Sequence, residues 1–224
     1  MKYIHCSLLL VLALVASSLA WGADTNHNFA KWEGEISAFE RLDATNPPPR
    51  GALLFIGSST IRLWKSLASD FPGLPVVNRG FGGSEIVDST HFARRIVFPY
   101  APAKIFFRAG GNDLAAGKTP EQVFADFKEF VELVRTRLPQ TPIIYIGWNP
   151  TPLRWAQHEQ EKTLNGLVAG YVREHPYLQY VETYDLVLGP DGQPRAELFL
   201  PDRLHFNAAG YQLLAGRVRP FVLK

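Results

Sequence analysis

The chain has 224 residues, a length that suits one domain with a full-sized core. Apolar residues make up 46% and charged residues 20%, an ordinary globular balance. The net charge is only +2 and the lysines and arginines are scattered, so a nucleic-acid partner has no electrostatic support.

The first twenty residues read as a secretory signal peptide. Lys2 gives a small positive start, Leu8 to Val15 form a short apolar run, and Ser18 and Ala20 put small residues at −3 and −1 of a cleavage site. The run is too short to span a hydrocarbon core of ~30 Å comfortably, so no stable membrane insertion is expected once it is removed. Residues 21–224 are then one domain, and the destination is the periplasm or the exterior. The single cysteine, Cys6, lies in the signal. The mature chain therefore has no thiol, which excludes disulfides, thiolate metal ligands and cysteine nucleophiles together.

Beyond the signal, Phe29, Trp32, Ile36 and Phe39 recur at helical spacing. Pro47, Pro48 and Pro49 stiffen the passage into the first of five short apolar runs: Leu53–Ile56, Pro75–Asn78, Lys104–Phe107, Pro142–Ile146 and Leu178–Val181. Each is nearly continuous, as expected for strands buried on both faces. Between them, Thr119, Pro120, Glu121 and Gln122 form a capping-box start for a helix over 121–138, with Phe124, Phe127, Val131 and Val134 on one face. Leu164, Leu167, Val168, Tyr171 and Val172 mark another helix. Asn207 is placed to cap a last one carrying Tyr211, Leu213, Leu214 and Val218. Strands alternating with helices predict parallel βαβ units and a three-layer α/β/α sandwich.

Ligands of such sheets sit at the carboxyl ends of the strands. The segments there are Gly57-Ser58-Ser59, Arg79 to Ser84, Gly110-Gly111-Asn112-Asp113, Gly147-Trp148-Asn149 and Pro201 to His205. Asp202 and His205, three apart, can lie on one side of a turn, with the carboxylate on one ring nitrogen and the other free for a serine. Gly83 can offer a backbone N–H and Asn112 an amide N–H to a developing oxyanion.

Rival chemistries fit less well. The third glycine of a G-x-G-x-x-G loop would fall at Glu85, and that loop follows the second strand. His27, His91, His158 and His175 are isolated, with no H-E-x-x-H, so no metal is expected. A G-x-S-x-G elbow is missing.

In four blocks along nearly the whole mature chain the sequence resembles the SGNH/GDSL hydrolases. Phe55-Ile56-Gly57-Ser58-Ser59 is similar to the first block, with Ser59 at the nucleophile position and Ser58 where the family has aspartate. Asn78 to Gly83 is similar to the second, Gly110 to Asp113 to the third, and Asp202 to His205 to the last. The nearest branches are the platelet-activating-factor-acetylhydrolase-like enzymes and bacterial acyl esterases. The resemblance implies a flavodoxin-like sheet of order 2-1-3-4-5 and cofactor-free ester hydrolysis. It implies Ser59, Asp202 and His205 as triad, and Ser59, Gly83 and Asn112 as oxyanion hole. The expected substrate is a small-molecule or glycan ester with a short acyl group. A catalytically silent glycan- or acyl-binding module of the same fold is the alternative. Trp64, Trp148 and Trp155 are candidates for a sugar platform, though packing in the core or rim is the favoured reading.

Overall fold

The computed structural model describes residues 27–223. The expected signal peptide, residues 1–20, lies outside them. In chain order the elements are α1 (Glu33–Thr45), β1 (Leu53–Gly57), α2 (Ser59–Arg62), α3 (Leu67–Asp70), β2 (Val76–Gly80), α4 (Ile86–Ile96), β3 (Lys104–Arg108), α5 (Gly111–Ala115), α6 (Pro120–Arg137), β4 (Ile143–Ile146), α7 (His158–Arg173), β5 (Leu178–Val181) and α8 (Ala208–Val222). The five strands form one sheet of order β2-β1-β3-β4-β5, and every pairing is parallel.

Strand alternation divides the core in two. Leu54, Ile56, Ile105, Phe107, Ile143 and Tyr145 face a cluster closed by α1, α4, α6 and α7. Leu53, Phe55, Phe106, Ile144 and Ile146 face a second cluster closed by α2, α3 and α8. The three-layer sandwich follows: both faces of the sheet are apolar, so both must be covered.

Two sequence expectations are corrected. The second strand runs Val76–Gly80, two residues beyond Pro75–Asn78, because Arg79 and Gly80 continue the ladder beside Ile56 and Gly57. Helix α4 was not anticipated; its buried face mixes Asp88 and Ser89 with Ile86, Phe92, Ala93 and Ile96, which blurs the apolar stripe.

The capping box at α6 forms as expected. The Thr119 side chain accepts from Gln122 N at 3.3 Å, and Thr119 N donates to Gln122 Oε1 at 2.8 Å. Asn207 caps α8 by accepting from Ala209 N and Gly210 N at 3.0 and 3.1 Å. Replacing Thr119 by Ala should lower unfolding stability by about 1 kcal/mol, measured by denaturant titration. An unchanged midpoint would mean that the cap does not contribute.

Candidate active site

The segment after β1 is shaped by one backbone contact. Gly57 has φ +137°, and a Cβ there would lie 1.9 Å from the Arg108 carbonyl oxygen, so only glycine fits. Ser58 N then donates to that carbonyl at 3.0 Å. Ser58 is extended and caps α2, which starts at Ser59. The Ser59 N–H, in the first turn of α2, has no intrahelical acceptor. Ser58 is 1% exposed, whereas the Ser59 hydroxyl reaches His205 Nε2 at 3.0 Å.

Asp202 and His205 sit on a tight turn in which Leu200 N donates to His205 O and Arg203 N to Leu200 O, both at 2.8 Å. Arg203 takes the left-handed conformation at φ 60°. Asp202 Oδ1 accepts from the backbone N–H groups of Leu204 (2.9 Å) and His205 (3.0 Å), and Oδ2 meets His205 Nδ1 at 2.8 Å. The carboxylate is acceptor-only, so this network assigns the proton to Nδ1 and leaves Nε2 to accept from Ser59. The backbone N–H of His205, followed by its ring, holds the Asp202 carboxyl down at about 2.

Asn112 is turned toward the same cleft and fixed at both ends of its amide. Its Oδ1 accepts from both terminal nitrogens of Arg154 at 3.1 Å, and Arg154 also donates to Gly111 O at 3.0 Å. Its Nδ2 donates to Ser84 O at 3.0 Å, which leaves one of its two N–H groups for another acceptor. Gly83, one residue before Ser84, is exposed at φ +75°, and its N–H makes no hydrogen bond among the described residues. Its turn is braced on several sides. Trp32 Nε1 donates to Gly82 O at 2.8 Å, Ser84 Oγ to Phe81 O at 2.9 Å, and Ile86 N to Asp113 Oδ1 at 3.0 Å. Burial pushes the Asp113 carboxyl up to about 7.

The structure thus brings Ser59, His205 and Asp202 into one hydrogen-bonded chain. Asn112 lines the same cleft as Ser59 and His205, and its bond to Ser84 ties in the Gly83 turn. Arg108, Thr151, Arg154, Leu204 and Phe206 also line the cleft, whose cavity volume is about 20 Å³. Arg154 and Trp32 escaped the sequence reading. Arg154 follows β4, at the ligand-bearing edge of the sheet, and that position was the available signal; Trp32 gave none, because it reads as a core position of the first helix. Of the three tryptophans, Trp64 is in the core, Trp148 packs at the cleft floor and Trp155 stacks on His158 with centroids 4.0 Å apart. Among the described residues no group of three or more His, Cys, Asp or Glu could hold a metal ion. None of their helices is long and apolar enough to cross a membrane.

A doubly covered parallel sheet with a Ser-His-Asp chain at its carboxyl edge is an arrangement suited to ester-bond hydrolysis. The chain belongs to the GDSL-like lipase/acylhydrolase family, whose model matches residues 56–213. It is 27% identical over 206 residues to the platelet-activating factor acetylhydrolase IB subunit alpha1 of Bos taurus, covering 84% of this chain and 82% of that one. It also superposes on a GDSL-like lipase from Bacteroides thetaiotaomicron with a TM-score of 0.67 and 17% identity, covering 88% and 97% of the two chains. A catalytic mutant of an acetylxylan esterase from Geobacillus stearothermophilus gives a TM-score of 0.61 at 17% identity, covering 76% and 94%. The protein is therefore an ester-bond hydrolase of this family.

With its carboxyl held near 2, Asp202 should stay ionised through the range in which an ordinary aspartate takes up a proton. A carboxyl-carbon NMR titration should show no step for Asp202 between about pH 3 and pH 6, where an ordinary aspartate titrates. A step near pH 4, roughly the reference value, would mean that the turn does not hold the carboxylate as described.

Proposed function

We propose that the protein is an exported serine esterase that hydrolyses short-acyl, chiefly acetyl, esters of small molecules or glycans through an acyl-enzyme. The observation that carries the reading is the continuous chain Asp202 Oδ2, His205 Nδ1, His205 Nε2, Ser59 Oγ, at 2.8 and 3.0 Å. Asp202 orients the imidazole and favours the imidazolium that forms. Ser59 Oγ attacks the ester carbonyl carbon as its proton passes to Nε2. The tetrahedral oxyanion is met by the Ser59 and Gly83 N–H groups and the remaining Asn112 N–H. When the C–O bond to the alcohol breaks, Nε2 returns the proton to the leaving oxygen. Water, deprotonated by the same nitrogen, then releases the acid and restores Ser59.

The short-acyl part of the reading rests on the small size of the cleft beside Ser59, about 20 Å³. A methylene left in water forfeits a burial contribution of about 0.8 kcal/mol, so longer chains gain little. Export rests on the amino-terminal pattern, with cleavage after Ala20 and release to the periplasm or exterior.

Turnover of an activated acetyl ester, lost in Ser59→Ala with folding intact, tests the reading against a silent binding module; no turnover by the wild type would reject it. Asn112→Ala should lower kcat by about 10²–10³-fold with the fold retained, and a change within a few-fold would mean that Asn112 does not face the reacting carbonyl. In a p-nitrophenyl ester series below micellar concentrations, kcat/KM should be highest for acetyl to butyryl and fall by octanoyl. A steady rise to dodecanoyl would overturn the short-acyl assignment.

A further inference from the structure

The floor of the cleft holds a charge that the proposed mechanism does not use. Arg108, the last residue of β3, is 1% exposed and lines the cleft with Ser58, Ser59 and His205. Its guanidinium donates to Gly147 O and, at 2.6 Å, to Asn149 Oδ1; it lies over the Trp148 ring at 4.6 Å. Both acceptors are neutral. Nε is buried without a partner, and Arg108 forms no salt bridge among the described residues. Burial pulls the guanidinium down only to about 10, so it is charged at neutral pH.

Arg154, which also lines the cleft, repeats the pattern. It is half-buried, and its acceptors are the Gly111 carbonyl and the Asn112 amide oxygen, again neutral. The carboxylate of the site, Asp202, is already committed to His205. Glu161 is near enough to be felt by both arginines, yet its Oε1 accepts from Gln157 at 3.0 Å, its Oε2 has no partner, and burial pushes its carboxyl up to about 7. Two guanidinium groups therefore border a cleft of about 20 Å³ with no paired carboxylate of their own. A buried cation without a counter-ion is costly, and a small low-dielectric cleft focuses its field on whatever enters.

We propose that Arg108 and Arg154 make the cleft an anion-selective subsite, so that the preferred substrates are esters bearing a carboxylate within a few bonds of the scissile carbonyl. The substrate supplies a carboxylate in direct contact, which Glu161, felt by both arginines only at a distance, does not. A carboxylate close to the reacting bond lies nearest the two guanidinium groups, and Ser58, a small neutral side chain in the same lining as Arg108, adds no negative charge there. This deepens the esterase reading and rests on it.

The test compares charged esters with neutral isosteres by pH-stat at low salt: monomethyl succinate against methyl succinamate, and acetoxyacetate against acetoxyacetamide. The first pair carries the carboxylate on the acyl side and the second on the alcohol side. In at least one pair, kcat/KM should favour the anion by about tenfold or more, an advantage that added chloride reduces. Ser58→Asp, which adds a carboxylate to the lining beside Arg108, should collapse that preference toward unity. As a measure independent of turnover, calorimetry on Ser59→Ala should show acetoxyacetate or monomethyl succinate binding more tightly than its amide counterpart. If neutral esters are hydrolysed and neither anion is preferred in rate or binding, the anion subsite is refuted while the esterase stands. If no ester is turned over, the esterase reading fails first.

Discussion

The close approach of β1 and β3 at Gly57 is the constraint on which the rest of the site depends. The Arg108 carbonyl occupies the space where any side chain at position 57 would lie, and it receives the Ser58 N–H. That contact ends the strand, starts α2 one residue later and puts Ser59, not Ser58, at the first helical position. Phe81 N donates to Gly57 O at 3.0 Å, so the same residue also anchors the segment that leads to Gly83. A side chain at position 57 would displace Ser59 and the Gly83 turn together.

The remaining parts are brought to that point by the sheet. Strand order β2-β1-β3-β4-β5 puts the segments after β2 and β3 on either side of the β1 end, and the long segment after β5 returns across it to deliver His205. Hydrogen bonds then fix rotamers that packing alone would leave free. Asp202 and the turn hold the imidazole; Arg154 and Ser84 hold the Asn112 amide. Residues far from the chemistry extend the bracing. Trp32, from the helical turn that precedes α1, ties down Gly82, and Asp113 ties the start of α4 to α5. The geometry of the site therefore rests on a shell of buried donors and acceptors, in which Arg108 Nε, Asp113 Oδ2 and Glu161 Oε2 are buried without a partner.

The fold was readable because both cores announce themselves in continuous apolar runs, and the Ser59–His205–Asp202 chain because its members occur in the order of the family's blocks, although Asp202 and His205 lie some way beyond the end of β5. Ser59, His205 and Asp202 are joined by hydrogen bonds, and Asn112 lines the cleft with Ser59 and His205. What escaped has physical reasons. Helix α4 mixes Asp88 and Ser89 into its buried face, since Asp88 satisfies the Glu85 backbone at 2.8 Å and His27 at 2.8 Å. Arg154 lies between β4 and α7, where the three-dimensional return toward Asn112 leaves no periodic trace. Arg108 ends a strand of aromatic and aliphatic residues and was passed over as its flank, although a charged residue in a buried strand is itself a signal.

The central claim is that Ser59, and not its neighbour Ser58, is the nucleophile activated by His205. The most direct measurement is peptide mass spectrometry after reaction with an organophosphonate. The account predicts one covalent adduct, on Ser59, formed in step with loss of activity and absent from His205→Ala. An adduct on Ser58, or complete inactivation with Ser59 unmodified, would contradict it.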